Sequence, residues 1–118
     1  MYLPAPDESI WVGVIRLVLG VPGSRSLKDK RRVVHQVRDR LRARRNVSVA
    51  EVGHLDHASH AVLAISMVSN EARHLRSALD GIVHEIGEWN VGLIEDVQVD
   101  LWRPGHDGAG QEREGLDD

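Results

Sequence analysis

Cysteine is absent from all 118 residues. That excludes a disulfide framework, thiolate nucleophiles and zinc–thiolate sites. Phenylalanine is absent too, and one Tyr and three Trp complete the aromatics. So few rings argue against RNA readers that stack unpaired bases on aromatic central strands. No apolar run reaches the roughly 20 residues that a membrane-spanning helix needs. The opening "MYLPAPDESI" has neither a basic start nor an apolar core, so it does not read as a secretory leader. The expectation is a cytoplasmic protein without a membrane partner. There the glycosylation triplet Asn46-Val47-Ser48 carries no meaning. The length suits one domain with a single modest core.

Charge is present in quantity but unevenly placed. The chain is formally −3, yet residues 24–46 hold ten of the fifteen Lys and Arg and two of the eighteen acids. That segment carries +8 and the rest −11. A footprint for a polyanion needs such local clustering rather than a basic protein overall.

Hydrophobic periodicity divides the chain into six elements. "WVGVIRLVLG" (11–20) is β-branched and aliphatic and predicts a strand. "VPGSRS" is a turn, and Ser26 with Asp29 three residues on predicts a capping-box start to a helix. That helix runs to about Arg45 with Leu27, Val34, Val37 and Leu41 as its apolar stripe. "VSVAEV" (47–52) and "AVLAISMV" (61–68) predict strands around a polar connection. Ser69 or Asn70 is expected to cap a second helix with Leu75, Leu79, Ile82, Val83 and Ile86 inward. "VGLIEDVQVDLW" (91–102) predicts the last strand. Residues 1–10 read as a loose arm, and 103–118, Gly-rich and acidic, as a disordered tail. The order β-α-β-β-α-β is the split βαβ, ferredoxin-like pattern. It predicts an α+β domain over 11–102, with a four-stranded antiparallel sheet and two helices on one face.

A sheet covered on one face should alternate apolar with polar residues. The two central strands do not. Val12, Val14 and Val18, broken only by Arg16, line the second face of strand one, and Val62, Ala64 and Val68 that of strand three. The expected cover is a second copy of the sheet, hence a homodimer. The alternatives are a naturally half-apolar open face or the terminal arms lying over it.

"VGVIRLVLGVPGSRSLKDKRRVVHQVRDRLRARRNVSVAEV" resembles the YlxP-like family of small bacterial proteins of unassigned function. "AVLAISMVSNEA" continues the likeness, which spans about residues 11–101. The resemblance implies a ferredoxin-like fold. It also implies a gene that often lies beside translation and ribosome-maturation factors, and so an RNA or ribosome role. It implies no activity and no catalytic residues. Two departures stand out. Asp29 replaces the family's usual Glu, and "HASH" stands where the family often carries Trp.

Candidate sites follow from side-chain chemistry. Arg31, His35, Arg38, Arg42 and Arg45, spaced four, three, four and three, fall within roughly 80° on a helix. Such a ladder suits successive phosphates, because guanidinium is always charged and forked. Lys28 and Arg32 extend it on the outer face, with Arg40 and Arg44 on the far flank. The alternatives are a merely solvated helix or one that docks an acidic surface. The turn Ser24, Arg25 and Ser26, with Lys28, forms a weaker anion site at a helix start, with no P-loop spacing. His54, Asp56, His57 and His60 are close enough in sequence to ligate zinc or nickel, but a polar loop explains them better, and no metal or other cofactor is expected. Trp11 and Trp102 are expected as neighbours on adjacent strands, and Trp89 under the second helix. Asp96 and Asp100 are too regular for an acid–base pair, so no enzyme is expected. The expected function is binding of structured RNA or the ribosome through the first helix. A protein–protein or regulatory dimeric module and a small-anion-binding domain are the alternatives.

Overall fold

A computed structural model describes residues 3, 5 and 8–105. The elements are β1 (Trp11–Gly20), α1 (Leu27–Arg44), β2 (Ser48–Gly53), β3 (His60–Ser69), α2 (Ala72–Trp89) and β4 (Leu93–Trp102). The strands pair antiparallel in the order β2-β3-β1-β4, with both helices on one face. The expected ferredoxin-like α+β fold is therefore the observed one. Beyond residue 105 the expected tail lies outside the described residues, as do residues 1, 2, 4, 6 and 7 of the arm.

The core follows from strand alternation. Ile15, Leu17 and Leu19 of β1 and Ala61, Leu63 and Ile65 of β3 turn toward the helices and are fully buried. Val34, Val37 and Leu41 of α1 and Leu75, Leu79, Ile82 and Ile86 of α2 close over them. Gly13 lets α2 approach, since a Cβ there would stand 2.5 Å from Leu79 Cδ1. Truncating one such Leu to Ala costs about 2–5 kcal/mol, depending on how far the site collapses. Helix α1 packs on β2 and β3, and α2 on β1, β3 and β4.

Two local expectations are corrected. Helix α2 is capped at Glu71, not at Ser69 or Asn70; Ser69 Oγ accepts from the Glu71 N–H at 3.2 Å and so sits outside the cap. Trp102 pairs with Val12 on the open face, while the alternation of β1 turns Trp11 toward the helices, so the two rings lie on opposite faces. Arg103 stands over the Trp11 ring instead, 5.5 Å from its centroid.

The face away from the helices carries Val12, Val14, Arg16 and Val18 of β1 and Ala64 and Val68 of β3, as expected. Val68 is 64% exposed, and Val52 and Trp102 join it as exposed apolar residues. Val62 departs from the expectation. It is already buried, because the β2 register slips between Glu51 and Gly53 and brings Gly53 against it. Along β4 the same face is polar, with Asp96, Gln98 and Asp100 opposite Val18, Arg16 and Val14. An exposed ion pair joins Arg16 to Asp96 at 3.4 Å.

Candidate nucleic-acid interface

The basic helix starts as its sequence dictates. Ser26 Oγ accepts from the Asp29 N–H at 3.1 Å, and Asp29 Oδ2 accepts from the Arg25 N–H at 3.1 Å. These bonds satisfy two donors at the helix start. They also use the Arg25 and Asp29 N–H groups of the turn expected as a weaker anion site. The Ser26 hydroxyl is the cap, and Ser24 Oγ donates its one hydrogen to the Ala58 carbonyl oxygen, with the Ser26 carbonyl oxygen 3.1 Å away as a second acceptor in reach.

The buried stripe of α1 is Lys30, Val34, Val37 and Leu41. Lys30 is 1% exposed, and its Nζ lies 2.7 Å from Glu51 Oε2. It also donates to the backbone oxygens of His54 at 2.7 Å and Leu55 at 3.4 Å. One ammonium thus ties α1 to β2 and to the β2–β3 loop, where His54 takes a left-handed backbone with φ of 55°. In the sequence Lys30 entered only through the +8 charge of residues 24–46. The missed signal was its register: positions 30, 34, 37 and 41 repeat at four, three and four, the spacing of a buried stripe.

Arg40 fixes which flank of α1 faces α2. Its guanidinium stands 5.2 Å from the centroid of Trp89, the last residue of α2, a cation–π contact. Trp89 is half-buried there and packs against the core. Arg31, His35, Arg38 and Arg42 lie on the opposite flank, within about 60° of one another on an ideal helix. The expected ladder therefore exists on the side away from α2, with Arg31, His35 and Arg42 exposed and Arg38 half-buried.

Two of its rungs have partners. Arg38 Nε is 3.0 Å from Asp39 Oδ1, an exposed pair of small worth. Arg45 leaves the ladder altogether. It caps the helix in an extended conformation and donates from Nη2 to Glu85 Oε2 of α2 at 2.6 Å. That bond, opposed by partial burial, holds the Glu85 carboxyl below its ordinary range; the charges of Arg45, Arg44 and His84 act with it. The sequence pattern could not show this, because the pairing spans forty residues and exists only once the helices pack.

Lys28, Arg31, Arg32 and His35, with Gln36 and Asp39, line a shallow groove of about 640 Å³ along α1, its basic residues all in the first half of the helix. None of those four basic side chains has a hydrogen-bond or ion-pair partner among the described residues. Salt bridges that solvated helices use to offset like charges are missing here. A row of unpaired, exposed donors that includes the two forked guanidiniums of Arg31 and Arg32 is suited to oxygens of a phosphate chain.

The histidine loop comes together in space. The rings of His54, His57 and His60 are 4.8–6.3 Å apart, and His60 Nε2 lies 3.2 Å from Glu95 Oε2. Ser59 links His57 to His60, its N–H donating to His57 Nδ1 at 3.2 Å and its Oγ lying 3.3 Å from His60 Nδ1. Asp56 is exposed and outside this network. No three His, Asp or Glu side chains among the described residues stand where they would hold a metal ion. No helix among them is long and apolar enough to cross a membrane.

Fold and site together define a ferredoxin-like α+β domain with an unpaired basic groove on its first helix. A family model described as a protein of unknown function (DUF503) matches residues 12–99, and the chain belongs to that family. No curated protein matches the chain.

Proposed function

We propose that this protein is a non-enzymatic accessory protein that binds structured RNA, ribosomal RNA included, through the basic groove of α1. The observation that carries this reading is the groove of Lys28, Arg31, Arg32 and His35, whose side chains have no hydrogen-bond or ion-pair partner among the described residues. The scarcity of rings on the sheet favours contacts to backbone and shape over stacking on the strands. The resemblance to YlxP-like proteins supports the same direction. Binding through backbone phosphates releases counterions, so affinity falls linearly with log salt. The test is binding of purified protein to labelled rRNA fragments across a salt series, beside a variant with Lys28, Arg31 and Arg32 changed to Gln. A slope of several counterions, reduced by about 3 in the variant, supports the reading. No binding at ~50 mM salt sinks it. Salt-steep binding to acidic proteins but not to RNA would point to a protein-docking module instead.

Self-association belongs to the same reading. Exposed Val68, Val52 and Trp102 lie on the open sheet face beside Val12, Val14 and Val18, and a second copy is the proposed cover. Sedimentation should give a dimer that Val68→Lys shifts toward monomer; a monomer at all concentrations would refute this part.

A further inference from the structure

A second depression adjoins the basic groove. The turn after β1 and the loop between α2 and β4 enclose an open cavity of about 540 Å³. Val21, Pro22, Val33, Val91 and Leu93 give it apolar walls. Its size falls within the roughly 300–1,000 Å³ of small-ligand sites. The far wall is held in place by close backbone packing: a Cβ on Gly92 would stand 2.5 Å from the Gly20 carbonyl oxygen. Leu93 is 59% exposed at its rim although it begins a strand. Asn90, also in the lining, has a left-handed backbone with φ of 57° and brings a carboxamide with both donors and an acceptor.

Arg32 lines both this cavity and the basic groove, so it stands between them. Its guanidinium has no hydrogen-bond or ion-pair partner among the described residues. A planar cation beside an apolar cavity and next to a row of phosphate-binding groups matches one nucleotide of a strand: flat base on one side, phosphate on the other. Unstacked bases are held in RNA complexes by aromatic rings or by Arg guanidinium planes, and here only the second is at hand.

We propose that the cavity seats one unpaired base of the RNA whose phosphates occupy the Lys28–His35 groove. Arg32 stacks on that base, and Asn90 reads its hydrogen-bonding edge. This rests on the RNA reading above and narrows its target from uniform duplex to RNA with a loop, bulge or free end.

The test compares three probes of equal length by fluorescence anisotropy on the full chain: an unstructured RNA strand, the same ribose–phosphate strand without bases, and a perfect duplex. The base-bearing strand should bind about tenfold more tightly than the baseless one, with the same salt slope. Val91→Met, which narrows the cavity without adding a ring, should lower the base-bearing strand toward the baseless level and leave the slope intact. Methyl NMR shifts of Val33, Val91 and Leu93 on addition of a nucleoside monophosphate give a readout that needs no variant. Equal affinity for strands with and without bases overturns this inference and leaves the phosphate-binding reading standing. Failure of every probe to bind overturns both.

Discussion

The two halves of α1 are similarly basic and use their charge differently. In the first half, Lys28, Arg31 and Arg32 face outward around a groove and have no partner among the described residues. In the second half, Arg38 lies against Asp39, Arg40 against Trp89 and Arg45 against Glu85. Through Arg40 and Arg45 the second half helps join α1 to α2, while Arg42 stays exposed and unpaired among the described residues, so the contrast is one of degree: no cation of the first-half groove is drawn into the packing. Lys30 sharpens the contrast within the first half. One residue from Arg31, it points into the protein and meets a carboxylate and two carbonyls. Density of charge along the helix does not measure binding capacity; the direction of each side chain does.

Breaking Lys30 should have the largest effect on the fold. Lys30→Met leaves the mostly buried Glu51 carboxylate without its cation, and denaturant unfolding should show a loss of about 3 kcal/mol. Adding Glu51→Leu should restore much of it, because an apolar pair removes the unpaired charge. RNA binding per folded molecule should be unchanged, which separates Lys30 from its neighbour Arg31.

Next comes exchange between the halves. Changing Lys28, Arg31 and Arg32 to Gln should weaken RNA binding by at least about tenfold at low salt with little change in melting temperature. Changing Arg38, Arg40 and Arg45 to Gln should do the reverse. Equal losses of binding from the two triples would dissolve the distinction.

Smaller in size is the effect of Arg45→Gln alone, a loss of about 1 kcal/mol for a partly exposed hydrogen-bonded pair. It has a pH signature. Because the Glu85 carboxyl is depressed below its ordinary 4.5 in the folded state, the pair's contribution is fully present above about pH 4.5. It is lost as pH falls through the folded value. Acid titration of stability should therefore be shallower in Arg45→Gln than in the natural protein. Smallest of all, Arg38→Gln should change stability by less than about 0.5 kcal/mol, since its pair with Asp39 is exposed.

Much of this molecule was legible from residue order. The alternation in β1 and β3, the Ser26–Asp29 start of α1 and the apolar spacing of α2 specify elements through contacts made within a few residues. Those contacts follow from backbone periodicity, so the fold class and the inward faces could be read directly. The Val68 exposure on the open sheet face was legible for the same reason.

The site was legible only in outline. Arg31, His35 and Arg42 fell on one flank because helical geometry alone places them there. Whether a cation on that helix is free depends on groups far away in sequence: Glu51 for Lys30, Glu85 for Arg45 and Trp89 for Arg40. Val62, for its part, is covered by Gly53 through a register slip that no periodicity announces. The cavity beside Arg32 likewise needs residues 21–24 and 90–93 to meet across the sheet end. By itself, then, the sequence determined the helices, the strands and the location of excess positive charge, all products of local patterning. Tertiary structure alone decided which of those charges are neutralised within the protein and which face outward, because ion pairing falls off over a few ångströms and depends on packing between distant segments.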